Sequence, residues 1–161
     1  MSRLEHRIRE ARSTDEGFTL IELAVVILII GILLAIAIPN FLGVRRGAED
    51  KAAQSSLRTA LTLAKTSYGN AGNYSGAVSA SLTEPGLTFT AATSTGPTSV
   101  GVKTADSNQT WIAVAKSQTQ DVCWWIKDAA SGTTGTQYGK TTTVPCNVTG
   151  TEPTWQSRFP G

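Results

Sequence analysis

The 161-residue chain is long enough for one domain of ordinary size plus an appendage. Its formal net charge is only +2 and it has no Lys/Arg run that would track phosphates, so a nucleic-acid partner is not supported. Hydrophobic residues make up 40% of the chain, but they concentrate between Phe18 and Ile38 and leave a remainder rich in Ser, Thr, Gly and Ala.

Met1 to Gly17 is short and polar, with Arg3, Arg7, Arg9 and Arg12 balanced by Glu5, Glu10, Asp15 and Glu16. From Phe18 to Ile38 the only polar side chains are Thr19 and Glu22. As a helix this run measures ~30 Å, enough to cross the hydrocarbon core of a bilayer. A small soluble domain rarely buries a helix that is apolar on every face. The run is also unlike a secretory signal: it is too long and ends in Ile38-Pro39-Asn40-Phe41 with no small-residue cleavage site, so any cut lies before it.

After Pro39 the pattern becomes amphipathic. Ala53, Leu57, Ala60, Leu61, Ala64 and Tyr68 recur at spacings of three and four, while Glu49, Asp50, Lys51, Arg58 and Lys65 fall elsewhere. Tyr68-Gly69-Asn70 is the predicted helix end. Phe18 to Tyr68 as one helix would measure ~75 Å, softened at its middle by Pro39, Gly43 and Gly47. Gly69 to about Val100 reads as a long loop with one short strand near Leu87–Thr90. Strands are predicted at Trp111–Ala115 and Val122–Ile126. A third, Thr136–Val144, would follow the second through the Ser131–Gly135 connection as a hairpin. The fold class is α+β: a long N-terminal helix, membrane-spanning in its first half, with its second half packed on a small antiparallel sheet.

Glu22 is the sharpest residue. A carboxylate one turn inside an apolar segment costs several kcal/mol unless it is paired or neutralised. A cut between Gly17 and Phe18 would create an α-amino group about one helical turn away. In a bundle of such helices Glu22 could pair with the amine of its own or a neighbouring chain, and a charge satisfied across a subunit contact sets axial register.

Gly17-Phe18-Thr19-Leu20-Ile21-Glu22-Leu23, followed by the apolar run to Pro39, resembles the prepilin signature of type IV pilins and type II secretion pseudopilins, with a type IV major pilin favoured. The resemblance implies a leader of residues 1–17 removed by a prepilin peptidase after Gly17. It implies N-methylation of Phe18, an assembly role for Glu22, and helix flexibility between Gly31 and Pro39. It further implies an N-terminal helix over 18–68 with its transmembrane part at 18–38, and an extracytoplasmic head over 69–161. The precursor would sit singly spanning the cytoplasmic membrane, N-terminus inside, and meet the pilus assembly machinery. The mature subunit would join other copies in a helical extracellular filament of the kind used in adhesion or twitching motility, held together by apolar burial between helices. The acidic Asp15-Glu16 before the glycine departs from the basic residue many family leaders carry there. Two other readings stand beside this one: a minor pilin or pseudopilin of a secretion or DNA-uptake system, and a single-span membrane protein with an extracytoplasmic binding domain.

A head outside the cytoplasm permits a disulfide between Cys123 and Cys146, the alternative being two buried free thiols. The bridge would close a loop of about 24 residues and contribute roughly 3 kcal/mol. It resembles the C-terminal disulfide-bounded loop of many pilins. Trp111, Trp124, Trp125 and Trp155 are expected in core or interface packing ahead of a ligand platform. Adjacent Trp124 and Trp125 should face opposite ways, one of them in the core. An enzyme is not expected. The single histidine, His6, lies in the predicted leader, and the acidic residues show no metal-ligand spacing, so no catalytic residue, metal site or cofactor is assigned.

Overall fold

The computed structural model describes residues 17–118, 120–130 and 135–160. Residues 1–16 of the expected leader, His6 among them, and most of the Ser131–Gly135 connection lie outside the described residues. The chain forms two compact units, one ending at Leu42 and the other beginning at Gly43.

The first unit holds the apolar start of helix α1 (Leu20–Ala71). Its side chains are exposed all round, from Leu20 through Phe41 and Leu42, so the apolar surface continues about one turn past Ile38. The best membrane-length window has a mean hydropathy of 3.1 and no buried residue. Pro39 lies inside the helix, which continues through it.

In the second unit α1 becomes one-sided. Ala53, Leu57, Ala60, Leu61 and Ala64 are buried and Tyr68 packs against them, the predicted stripe. The helix runs to Ala71, three residues past the predicted end. It stops where Gly72 takes a φ of 70° and its N–H reaches Tyr68 O at 2.7 Å, a left-handed position that glycine adopts without strain.

Among the described residues the head has seven strands: β1 (Thr88–Thr90), β2 (Thr93–Ser94), β3 (Ser99–Ala105), β4 (Thr110–Lys116), β5 (Cys123–Ala129), β6 (Thr136–Thr141) and β7 (Cys146–Asn147). Five form one sheet in the order β1-β3-β4-β5-β6, and β2 pairs with β7 apart from it. The sheet is antiparallel except at one edge, where β1 runs parallel to β3. That edge corrects the all-antiparallel expectation, and β3 occupies part of what reads as loop in the sequence. Residues 142–144 fall outside β6.

Alternation along β4 sends Trp111, Ala113 and Ala115 toward the helix, and Ile112 and Val114 to the opposite face. Neighbouring Trp124 and Trp125 divide the same way, and both are 2% exposed, so both are core. The outer face is covered by Cys146, Val148 and Trp155. Cys123 and Cys146 form a disulfide that fixes this cover to β5.

Polar contacts lock the helix to the sheet. Trp124 Nε1 donates to Asp50 Oδ1 at 3.0 Å. Buried Asp128 on β5 accepts from Tyr74 Oη at 2.5 Å and from Lys65 Nζ at 3.1 Å, and also from the Thr136 hydroxyl. Burial pushes the Asp128 carboxyl up, but these donors outweigh it and hold the group below its ordinary value. Burial, with the adjacent carboxylate, pushes the Tyr74 phenol up.

Candidate processing and assembly site

Gly17, Phe18 and Thr19 are non-helical and exposed, Phe18 at 93%. The helix starts at Leu20 because Thr19 caps it. Leu23 N–H donates to Thr19 O at 3.3 Å, the first bond of the helical ladder. Glu22 N–H donates to Thr19 Oγ1 at 3.2 Å. In return Glu22 Oε2 accepts from Thr19 N at 2.8 Å and from Thr19 Oγ1 at 2.7 Å. This reciprocal arrangement is a capping box, in which the first and fourth residues satisfy each other's orphan groups.

The box changes the sequence-based view of Glu22. Its carboxylate does not depend on a second chain for a partner, since Thr19 supplies two donors within the same turn. The signal was present in Thr19-Leu20-Ile21-Glu22, a Thr-x-x-Glu spacing just before an apolar run. Reading Glu22 only against a distant amine passed over it.

Gly17, Phe18, Thr19 and Glu22 line one opening of about 410 Å³. The structure therefore brings together three of the residues singled out in the sequence and adds Thr19 to them. Gly31 and Pro39 lie further along α1, with open space around the Gly31 Cα. Cys123 and Cys146 lie in the head. Among the described residues no group of three or more His, Cys, Asp or Glu side chains could hold a metal ion.

Residues 12–38 match the family described as the prokaryotic N-terminal methylation motif. The chain is 39% identical over 69 residues to the type IV major pilin protein PilA of Myxococcus xanthus, a match covering 43% of this chain and 31% of that protein. It is 45% identical over 53 residues to the type IV narrow pilus major component PilA5 of Thermus thermophilus, covering 33% of this chain and 42% of that one. Part of the chain is thus similar to type IV pilins. No solved structure matches it. The matches span about a third of the length of one curated relative and two fifths of the other. One relative is named as a major pilin and the other as a major pilus component. The motif match contains the whole capping box and ends one residue before Pro39.

Proposed function

We propose that the chain is a structural subunit of a type IV pilus filament, made as a membrane-held precursor. A prepilin peptidase hydrolyses the Gly17–Phe18 peptide bond, water giving Gly17 a carboxylate and Phe18 an α-amino group. The amine then takes a methyl group from a sulfonium donor. The N-terminus faces the cytoplasm before processing, and the apolar part of α1 first lies in the bilayer and later among the same helices of other copies. Gly31 and Pro39 mark where that helix yields during the transfer, and the assembly machinery draws the subunit into the fibre.

One observation carries this reading. An ionisable carboxylate sits in the first turn of a helix whose apolar side chains are exposed on all sides, within the stretch matched by the methylation motif. Such a helix needs an apolar environment, and such a carboxylate needs donors or a cation within it.

Intact-mass measurement on sheared surface fibres tests the processing. The expected species begins at Phe18 and carries one N-methyl group. Fibres built from chains that retain Met1 to Gly17 would overturn the proposal. Glu22→Ala should leave insertion and cleavage intact while removing fibres.

A further inference from the structure

We propose that Arg45 and Arg46, with Lys51 beyond them, form a cationic collar that binds the phosphates of anionic phospholipid headgroups at the head-side surface of the membrane. This rests on the reading of the chain as a membrane-held precursor and names a partner for it in that state.

The collar lies wholly in the unit that begins at Gly43. Val44, 74% exposed, is the last exposed large apolar side chain of α1, and Arg45 follows it directly. Ala53 is the first buried residue of the helix. In the interval between them three cations and two anions nearly cancel in formal charge, but the fold sorts them. Both anions are engaged within the protein. Glu49 accepts from Arg45 Nε at 3.2 Å, and its side chain is only 13% exposed. Asp50 accepts from Trp124 Nε1 at 3.0 Å and from Gln120 Nε2 at 3.3 Å. The cations are left outside. The Arg45 side chain is 55% exposed, and Arg46 and Lys51 are exposed. Lys51 Nζ donates to the neutral Gln54 amide at 3.4 Å. Among the described residues Arg46 has no ion-pair partner.

What adjoins the collar decides the partner. Leu20 to Val44 measures about 37 Å as helix. That exceeds the ~30 Å hydrocarbon core of a bilayer and falls just short of the ~40–45 Å that includes the headgroup regions. Cations directly after such a run stand at the level of the phosphates. A guanidinium pairs with a phosphate through two parallel N–H donors. The arginine stems lie along apolar surface while their charged ends reach the headgroup layer. Adjacent positions point about 100° apart around a helix, so Arg45 and Arg46 take two neighbouring headgroups. A free phosphate ion supplies the charge but not the acyl chains that pack beside the apolar run.

The experiment reconstitutes the full chain in phosphatidylcholine vesicles carrying a trace of acyl-spin-labelled phosphatidylglycerol or, separately, acyl-spin-labelled phosphatidylcholine. Flotation measures insertion, and the motionally restricted fraction of each label measures association with the protein. Wild type should prefer phosphatidylglycerol about five-fold or more, since one cation near an anionic surface contributes about that factor. The preference should shrink as salt is raised. Arg45→Gln/Arg46→Gln should lower it to about one. Lys127→Gln should leave it unchanged, because the neighbouring Asp128 pairs with Lys65, about 29 Å along α1 from Arg46. Inorganic phosphate, compared with chloride at equal ionic strength, should also leave it unchanged. An inserted chain without the preference, or with the same preference after both arginines are replaced, overturns the collar and leaves the membrane-held reading standing. A preference unmoved by salt overturns its electrostatic basis. Loss of the preference in inorganic phosphate alone makes the collar a site for the free ion and overturns the headgroup assignment. A chain that fails to insert overturns the membrane-held precursor and the collar with it.

Discussion

The C-terminal segment crosses the free edge of β6 and joins the two faces of the sheet, and a single methyl group should dislodge it. Gln156 and Tyr138 exchange two backbone hydrogen bonds, each 2.8 Å. On one side of this bridge Trp155 packs on the outer cluster, with Lys127 Nζ 4.4 Å from its ring centre. On the other side Phe159 joins the inner cluster, its ring 4.5 Å from that of Tyr138 and 5.8 Å from that of Trp124. Two residues before Trp155, buried Pro153 lies against Gly139. A Cβ at position 139 would fall 2.2 Å from Pro153 Cγ and 2.6 Å from its Cβ. A proline ring cannot rotate away, so in Gly139→Ala the segment must lift. The two backbone bonds contribute about 0.5–1.5 kcal/mol each, and each ring pair a similar amount beyond its area. Partial loss of these contacts gives an expected destabilisation of about 2 kcal/mol. Urea unfolding of the full chain in detergent micelles, followed by tryptophan fluorescence, measures it. The decisive comparison is a second background ending at Thr151, which lacks the segment. There Gly139→Ala should be neutral or stabilising by up to ~1 kcal/mol, because alanine in a strand loses less backbone entropy than glycine. The same cost in both backgrounds would refute the steric reasoning.

Other expectations follow from the core. Asp128→Ala strips the Tyr74 and Thr136 hydroxyls of their acceptor and should cost about 2–3 kcal/mol by the same unfolding assay. The folded Asp128 carboxyl is depressed, so its stabilisation is in place above the unfolded value of 3.8 and fades as pH falls through the lower folded value. Tyr74 is raised, so its contribution is in place below 10.0 and fades as pH rises toward its higher folded value. A pH series of unfolding midpoints should therefore fall off at both ends, and the acid limb should flatten in Asp128→Ala. Replacing Cys123 and Cys146 with serine should cost roughly 3 kcal/mol, and reductant should give wild type the same midpoint shift. Leu57→Ala, at a fully buried helix position, should cost about 2–5 kcal/mol.

The elements legible in the sequence are those whose periodicity comes from their own burial. The Ala53–Tyr68 stripe reads as a helix face because one face of α1 is buried. Trp111–Ala115 reads as an unbroken apolar run because β4 is covered on both sides. β3 was missed for the opposite reason. Ser99-Val100-Gly101-Val102-Lys103-Thr104-Ala105 carries a glycine where a strand former is expected, and that glycine answers a distant contact: a Cβ on Gly101 would come within 2.8 Å of Ala92 O. The parallel β1–β3 pairing was hidden because the chain between them detours through β2, whose partner β7 lies about fifty residues away. The C-terminal crossing of β6 depends on a proline meeting a glycine, which leaves no periodic trace. At the candidate site the residues are visible in the sequence, but charge alone marks Glu22 as a lone carboxylate, whereas Thr19 holds it within the same turn.

That local bonding also shifts where the drive for assembly lies. Each exposed large side chain between Phe18 and Val44 would cost ~1.5–3 kcal/mol if left in water, so the apolar helix must always have cover. Lipid tails and neighbouring helices are about equally apolar, however, and between them the hydrophobic effect makes little distinction. In the proposed cycle the subunit moves from one apolar environment to another, and burial holds the finished fibre against water without favouring fibre over membrane. The difference has to come from groups that the two environments treat unequally. In a bilayer the Glu22 carboxylate of a processed chain has its two Thr19 donors and the amine of its own chain, while in a bundle of such chains it also meets the ammonium groups of neighbours at a low dielectric. In that proposed cycle the first helical turn, which carries the carboxylate, sets the direction of transfer, and the apolar run as a whole sets how firmly the product holds.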